Sequence, residues 1–594
     1  MPIDKKKLLS GISDYLDNLS EPSGRLLCCK HKGVEHTGKT AYSIITDLKL
    51  FEMTGDEKYW TRATRRAGRV ADNLYKDPET GAYIFYPGRL VRGNMSNSVI
   101  DAGGAGDSLA TLLLDYRDKL EPGLRAKIED ALYKVCDTYL VKAVAEKELP
   151  DQRLWGGTAL AAAYRLWKKE EWKEACLAGV RRTLSRQWPD GTFPYHPDWK
   201  RENLFSGMEE TTSYYHSRQI AFMIYILRNL DVDPGAYLGS LMKAGEILLA
   251  MYGKDGVKSV YPDTKRWYWL SPYEVAGFPY DSYALAALYE LTRDERYIKT
   301  ASLGLTRYAS HQLSDKGITS HLGHQDNFQC RVFWNGQAAW LAKIINKIPD
   351  DKNLDDVEEK KYFESADLVK YWGKDYAALL RGKKRPMDPL YGPPVGGGSI
   401  LYFGRKEDGW KNQFCAREWQ SEIPFNLDFY NFNLRPITRM VKFLCANWES
   451  LKSILYYAEA ELRAGAFKTF LMRIAEFLRK IWSARAEVYS TAWSGEVKTN
   501  YAEMSVEFIV WPSSRDGQTI PGINCRREYK FKPKLMAVTE EITIDNPKLR
   551  KIVYTIGQGT KTLEIKTNFF YRRHGDKIIF ALPRKGAIKI SYEL

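Results

Sequence analysis

His36-Thr37-Gly38-Lys39-Thr40-Ala41, Asp101-Ala102-Gly103-Gly104-Ala105-Gly106, Trp155-Gly156-Gly157-Thr158-Ala159, Thr212-Ser213-Tyr214-Tyr215-His216, Phe278-Pro279-Tyr280-Asp281-Ser282-Tyr283 and Trp334-Asn335-Gly336-Gln337-Ala338-Ala339 are six versions of one opening. Each is rich in small residues and leads into an apolar run. Successive openings lie roughly 53 to 67 residues apart, which leaves room for two helices and two loops per unit. Six such hairpins can close into a ring, with the small-residue helices in the crowded inner layer.

Charged amphipathic stretches fall between the openings, and they suit a solvated outer layer. They begin near Asp56-Glu57-Lys58, Gly123-Leu124-Arg125, Glu170-Glu171-Trp172, Pro234-Gly235-Ala236 and Asp294-Glu295-Arg296. Thr54-Gly55-Asp56-Glu57-Lys58-Tyr59 and Thr292-Arg293-Asp294-Glu295-Arg296-Tyr297 are nearly the same sequence, and both place acids in a first helical turn, where the helix dipole favours them. Several charged stretches are followed by short aromatic segments. Two of these, Asp190-Gly191-Thr192-Phe193 and Asp255-Gly256-Val257, start with the Asp-Gly pair of a turn.

A chain of 594 residues exceeds one ordinary core, so more than one domain is expected. The net charge of +15 and pI near 9.1 favour anionic partners. No clustered Lys/Arg tract, zinc-finger spacing or RNA-binding signature is present, which ranks nucleic acid below acidic polysaccharide. The 17 Trp and 38 Tyr lean toward sugar, whose apolar faces stack on aromatic rings. No apolar run is long enough to span a bilayer, so no membrane insertion is expected. The N-terminus reads as an amphipathic helix rather than a signal peptide, because Asp14 and Asp17 interrupt it. With eight dispersed cysteines, this implies reduced thiols and a cytoplasmic location.

The repeat ends near Ile345. Residues 1–348 are therefore read as an (α/α)6 toroid and 349–370 as an acidic linker or solvated helix. Residues 371–594 are read as a mainly antiparallel β-sandwich domain, interrupted by helical periodicity near 435–481. The β assignment rests on runs such as Met504-Ser505-Val506-Glu507-Phe508-Ile509-Val510 and Ala537-Val538-Thr539-Glu540-Glu541-Ile542.

A helical ring followed by a β-sandwich resembles the toroid-plus-sandwich polysaccharide lyases, especially the heparinase II/III-like and alginate-lyase-like groups. That resemblance implies β-elimination on a uronic-acid glycan. It also implies an Asn-His or similar pair on the fourth inner helix, where Tyr215 stands in the Asn place and His216 matches. The catalytic Tyr implied at the next inner helix is Tyr280, with Tyr283 as fallback. These families further supply a His-x-His-x-Asp segment at the start of the β-domain. Here that domain holds only His574, and the nearest counterpart, His321-Leu322-Gly323-His324-Gln325-Asp326, precedes the sixth inner helix.

Elimination needs a neutralised carboxylate, a base for the proton α to it, and an acid for the leaving oxygen. Tyr280 fits the acid, His216 the base or neutraliser, and Arg218 the carboxylate clamp. His216 and Arg218 stand two residues apart and cannot both face inward from a regular helix. An inverting hydrolase would instead pair carboxylates about 6.5–9.5 Å apart. Asp101 with Glu209 or Glu210 could serve, and Asp281 is a further acid near the ring mouth. A uronate C5-epimerase and a non-catalytic glycan-binding protein are further readings. His36, Trp155, Trp267, Trp269, Trp334, Asn335 and His324 are candidate sugar contacts, although each tryptophan taken singly is more often a packing residue. His321, His324, Asp326 and Cys330 match no strong zinc spacing. No Walker or dinucleotide pattern occurs, so no cofactor is expected.

Overall fold

The computed structural model describes residues 3–29, 34–85, 95–194, 213–259, 277–319 and 331–413 apart from 351, 367 and 383–397. It also describes short strands within 415–430 and 489–513, isolated helical residues between 437 and 478, and 504–594 apart from 514–520, 548, 550, 556–563 and 576. Glu209, Glu210, Trp267, Trp269, His321, His324, Asp326 and Cys330 lie outside the described residues.

The helices, in chain order, are α1 (Lys5–Asn18), α2 (Thr37–Thr54), α3 (Glu57–Asp72), α4 (Met95–Tyr116), α5 (Pro122–Val135), α6 (Val141–Glu146), α7 (Pro150–Trp167), α8 (Glu170–Leu184), α9 (Ser213–Asn229), α10 (Leu238–Ala250), α11 (Phe278–Thr292), α12 (Glu295–Ser310), α13 (Arg331–Gly336) and α14 (Ala338–Ala342). Five of the small-residue openings lead into or lie within the first turns of α2, α4, α7, α9 and α11; the sixth spans α13 and α14. Contacts run from α2 to α4, α7, α9, α11 and α14 and return to α2, a closed cycle. The charged helices α3, α8 and α12 and the mainly apolar α10, whose charged residues are Lys243 and Glu246, pack on α2, α7, α11 and α9 from outside, while α1 packs on α2, α13 and α14. The glycines explain how closely the cycle packs. A Cβ at Gly103 would lie 2.5 Å from the carbonyl oxygen of Trp155, so α4 can approach α7 this closely only without a side chain there.

The Asp-Gly turns form as the sequence implies. Asp190 Oδ1 accepts from the Thr192 N–H at 3.1 Å, and Asp255 Oδ1 accepts from the Val257 N–H at 3.1 Å. Gly256 takes φ +78°, and a Cβ there would strike the backbone of Leu303 on α12.

A four-stranded antiparallel sheet follows, in the order Glu359–Phe363, Leu368–Trp372, Tyr376–Arg381, Ser399–Arg405. The first of these strands falls inside the span expected as linker, and the second begins within it and runs past its end. The acidic segment before them is not a solvated helix either. Leu354 is fully buried, and Asp355 accepts from Trp410 Nε1 at 2.7 Å, so the chain crosses docked rather than free. Among the described residues the second sheet has ten strands, in the order Lys566–Thr567, Lys585–Glu593, Met536–Asp545, Ile523–Phe531, Ser505–Ser513, Tyr489–Asn500, Asn426–Tyr430, Lys551–Thr555, Lys577–Ala581, Tyr571–His574. Alternating burial along Ile523–Phe531 and Met536–Asp545 marks one face as core. Tyr554 donates to Glu540 Oε1 at 3.0 Å although their strands stand five places apart. A flat sheet would separate them by about 24 Å, so the sheet curls back on itself. Residues of both sheets, among them Tyr376, Phe403, Phe508 and Tyr529, share one hydrophobic core.

The β region docks on the turns that follow α8 and α10. Asp190 Oδ2 accepts from the N–H groups of Ser365 (2.7 Å) and Ala366 (3.2 Å), and Lys254 Nζ donates to the Gly373 carbonyl at 2.8 Å. Ile247, Ala250 and Met251 pack with Phe363, Leu379 and Leu401. These turns lead into α9 and α11, so the β region sits at the end where the inner helices begin.

Candidate active site

An aromatic layer crosses the interior of the helical cycle. Tyr42 of α2, Trp155 of α7, Phe222 of α9, Tyr280 of α11 and Trp340 of α14 contribute one ring each. Neighbouring centroids lie 4.9–6.2 Å apart. The sixth helix, α4, contributes Gly104, where a Cβ would lie 3.3 Å from the Tyr42 ring. The indole N–H groups of Trp155 and Trp340 both donate to the Tyr42 hydroxyl. Burial, with help from Tyr280 and Asp107, pushes the Tyr42 hydroxyl well above its usual pKa, so it stays protonated. Five of the six inner helices thus close the bore with rings and the sixth with a glycine.

Two cations stand on this floor near the helix N-termini. The Arg218 guanidinium lies 4.4 Å from the Tyr280 ring centroid, 5.2 Å from Tyr215 and 5.4 Å from Trp155, and donates to Gln337 Oε1 at 3.2 Å. Lys39 Nζ lies 5.0 Å from Tyr42, 5.1 Å from Trp155 and 4.6 Å from Phe333. Both side chains are almost fully buried. Stacking on aromatic faces compensates part of the lost hydration, and the low dielectric strengthens their field on any anion that enters.

His216 does not join them. Its Nε2 meets the Ala244 carbonyl of α10 at 2.8 Å, and its ring packs on Phe193. A carbonyl only accepts, so Nε2 carries the proton. The reason is rotation: two residues along a helix turn about 200°, so Arg218 facing the bore sends His216 outward. Burial lowers its pKa to about 4. Neutral and turned away, it is neither the carboxylate neutraliser nor the base expected from the sequence.

Other expected contacts are corrected similarly. Asp281 is fully buried between the layers, accepting from Lys258 Nζ at 2.9 Å and from the Tyr252 hydroxyl at 2.5 Å. Asn335 bonds the Ile318 N–H and carbonyl and the Arg331 carbonyl, which uses its amide for structure. Tyr283 lies beyond the floor, 5.2 Å from Trp340, and lines a cavity of about 350 Å³ with Arg228 and Lys343 at the opposite end of the helices. Asp101 is in the second turn of α4, against Gly38 of α2. Trp334 packs on Phe333, and Trp155 is part of the floor; neither is an exposed platform. His36 is the N-cap residue of α2 without a side-chain cap bond, and its buried Nε2 has no partner among the described residues. His574 is exposed at the end of the strand Tyr571–His574.

Lys39 and Asp151 were missed. Lys39 stands in the first opening, where a lysine among Gly and Thr was the available signal. Asp151 stands four residues before Trp155, a spacing that puts both on one helix face. It is 1% exposed, and burial raises its carboxyl pKa to about 6 against the pull of Arg218.

No protein-family model matches the chain, and no curated protein matches it in sequence. Among solved structures, heparinase III aligns over 100% of this chain and 85% of its own, with a TM-score of 0.52 and 11% identity. The chondroitin AC lyase of Streptomyces coelicolor A3, solved in complex with chondroitin sulphate, aligns over 99% of this chain and 79% of its own, with a TM-score of 0.51 and 11% identity. At such identity the likeness is one of fold. The chain has a helix-rich N-terminal region followed by antiparallel sheets, and heparinase III and a chondroitin lyase share that fold.

Proposed function

We propose that this protein cleaves an acidic, uronate-containing polysaccharide or oligosaccharide by β-elimination. In this reading residues 1–348 form an (α/α)6 toroid, 371–594 a β-sandwich domain, and the site opens between them. The observation that carries it is the pair of buried cations, Arg218 and Lys39, on the aromatic floor. Elimination from a uronate begins with loss of the proton α to its carboxylate, which requires that carboxylate to be neutralised. A guanidinium fork and an ammonium supply that charge. The flat rings of Tyr215 and Phe333 beside them suit a sugar face. Tyr280, with the Arg218 guanidinium against its ring, donates the proton to the leaving oxygen.

The test incubates the purified chain with a panel of uronic-acid polysaccharides and oligosaccharides and follows two signals. One is the ultraviolet absorbance of a double bond conjugated to the carboxylate, and the other is new reducing ends. Both signals together, with turnover lost in Tyr280→Phe, are the expected result. Reducing ends without the absorbance would sink elimination and favour hydrolysis by Asp101 with Glu209 or Glu210. Deuterium exchange at the α carbon without either signal would favour a C5-epimerase. Binding with none of these would mean a non-catalytic glycan-binding protein.

A further inference from the structure

With His216 turned outward, the described residues of the floor leave the α proton without an evident acceptor. Asp151 fills that place. It is the second residue of α7, directly after Pro150, so the N-terminal end of the helix holds it in position. Trp155, one turn on, belongs to the aromatic floor and touches both Arg218 and Tyr280. Asp151 therefore stands above the floor on the face that lines the bore. Its side chain is almost fully buried, and Oδ1 has no hydrogen-bond partner among the described residues. The backbone N–H groups of Gln152 and Asp151 hydrogen-bond the carboxylate and lower its pKa, which leaves Oδ1 as the oxygen without a partner; an unpaired buried carboxylate oxygen is costly.

The charges around Asp151 are unequal. From α9, Arg218 pulls its pKa down, and so does Lys147 from the segment just before α7. Asp101 on α4 is turned to Gly38, Arg182 on α8 donates to the Ala145 carbonyl, and His216 is held by Ala244. Arg153 on α7 itself is spent on the carbonyls of Lys147 and Glu148, which pins the loop in front of Asp151. Burial outweighs these pulls and leaves a carboxyl that titrates near 6, a stronger base than an ordinary carboxylate and still ionised at neutral pH.

We propose that Asp151 is the base of this site, taking the α proton of the uronate through Oδ1. The inference rests on the elimination reading above. The C–H electron pair becomes the new carbon–carbon double bond, and the bond to the leaving oxygen breaks. That oxygen takes a proton from the Tyr280 hydroxyl, and solvent returns the proton from Asp151 to Tyr280. No other reactant is required.

The experiment compares wild type, Asp151→Asn and Asp151→Glu on whichever uronate oligosaccharide gives the unsaturated product. Asp151→Asn is expected to lower kcat about 100-fold or more while KM stays close to wild type and the thermal midpoint does not fall. Asp151→Glu should restore part of kcat, and the acid limb of the wild-type pH profile should fall near 6. Asp151→Asn turning over within about tenfold of wild type, with the acid limb in place, would overturn the assignment and leave the elimination reading intact. A variant that has lost its thermal transition is replaced by Asp151→Glu alone, whose acid limb must then move with the new carboxyl. A wild type that makes no unsaturated product from any uronate overturns the elimination reading and this base with it.

Discussion

Asp151 and His216 are both buried, and their titrations act on stability in opposite directions. The folded His216 titrates near 4 against an ordinary 6.5, so the unfolded chain binds its proton first, and stability falls as pH drops from about 6.5 toward 4. The folded Asp151 titrates near 6 against 3.8, so the folded chain binds its proton first. Its contribution is present below about pH 4 and is lost as pH rises through 6. Removing the charge should therefore help the fold at high pH. Asp151→Asn should be more stable than wild type by about 3 kcal/mol near pH 8, with the gap closing toward pH 4. Denaturant titrations at both pH values check this. A gap of equal size at both would mean that the carboxyl is not held high by burial. A stabilised variant that has lost turnover is also the usual signature of a functional group kept at the expense of stability.

Among the helices, close approach is set by small residues in the inner layer. At Gly103 a Cβ would meet backbone atoms of Trp155 and Gly156, which cannot rotate away. Gly103→Ala should cost about 1–3 kcal/mol through overpacking. Gly123, in the first turn of α5, has open space around its missing Cβ, and Gly123→Ala should be neutral or stabilising by up to about 1 kcal/mol. Thermal unfolding of the two variants separates the explanations: equal losses would mean that helix propensity, not the α4–α7 contact, governs both. The glycine at position 104 acts differently, by leaving room for the Tyr42 ring in the aromatic floor.

The helical and β regions meet through polar atoms that no single-element pattern marks. Asp190 holds its own turn through Thr192 and reaches across to the backbone of Ser365 and Ala366. Asp190→Ala leaves those N–H groups without their partner and should cost about 1–3 kcal/mol. Calorimetry should then resolve the helical and β transitions more widely than in wild type. An unchanged, single transition would show that the apolar contact of Ile247, Ala250 and Met251 carries the interface alone. Docking at this end places the β region at the same end of the inner helices as Arg218, Lys39 and Asp151, while the floor closes the passage to the cavity beyond. Among the described residues no helix is long and apolar enough to cross a membrane.

The six openings, the charged outer helices and the Asp-Gly turns were legible because each is local. Small residues are needed wherever inner helices touch, acids favour a first turn, and Asp-Gly suits a left-handed turn, all within a few positions of one another. The change to alternating burial after residue 500 was legible for the same reason, since Ile523–Phe531 and Met536–Asp545 each show their core face in a period of two. The four strands beginning at Glu359 were harder to assign because the first lies, and the second begins, in what reads as linker. Burial from both sides removes the alternation from Leu368–Trp372 and Tyr376–Arg381. The functional assignments depended on direction as well as position. A residue list puts His216 and Arg218 together, but a turn of about 200° separates them. The same list passes over Asp151, which reaches the floor only because α7 carries it one turn from Trp155. Lys39 and Arg218 belong to helices far apart in sequence and are brought to the same indole only when the helical cycle closes.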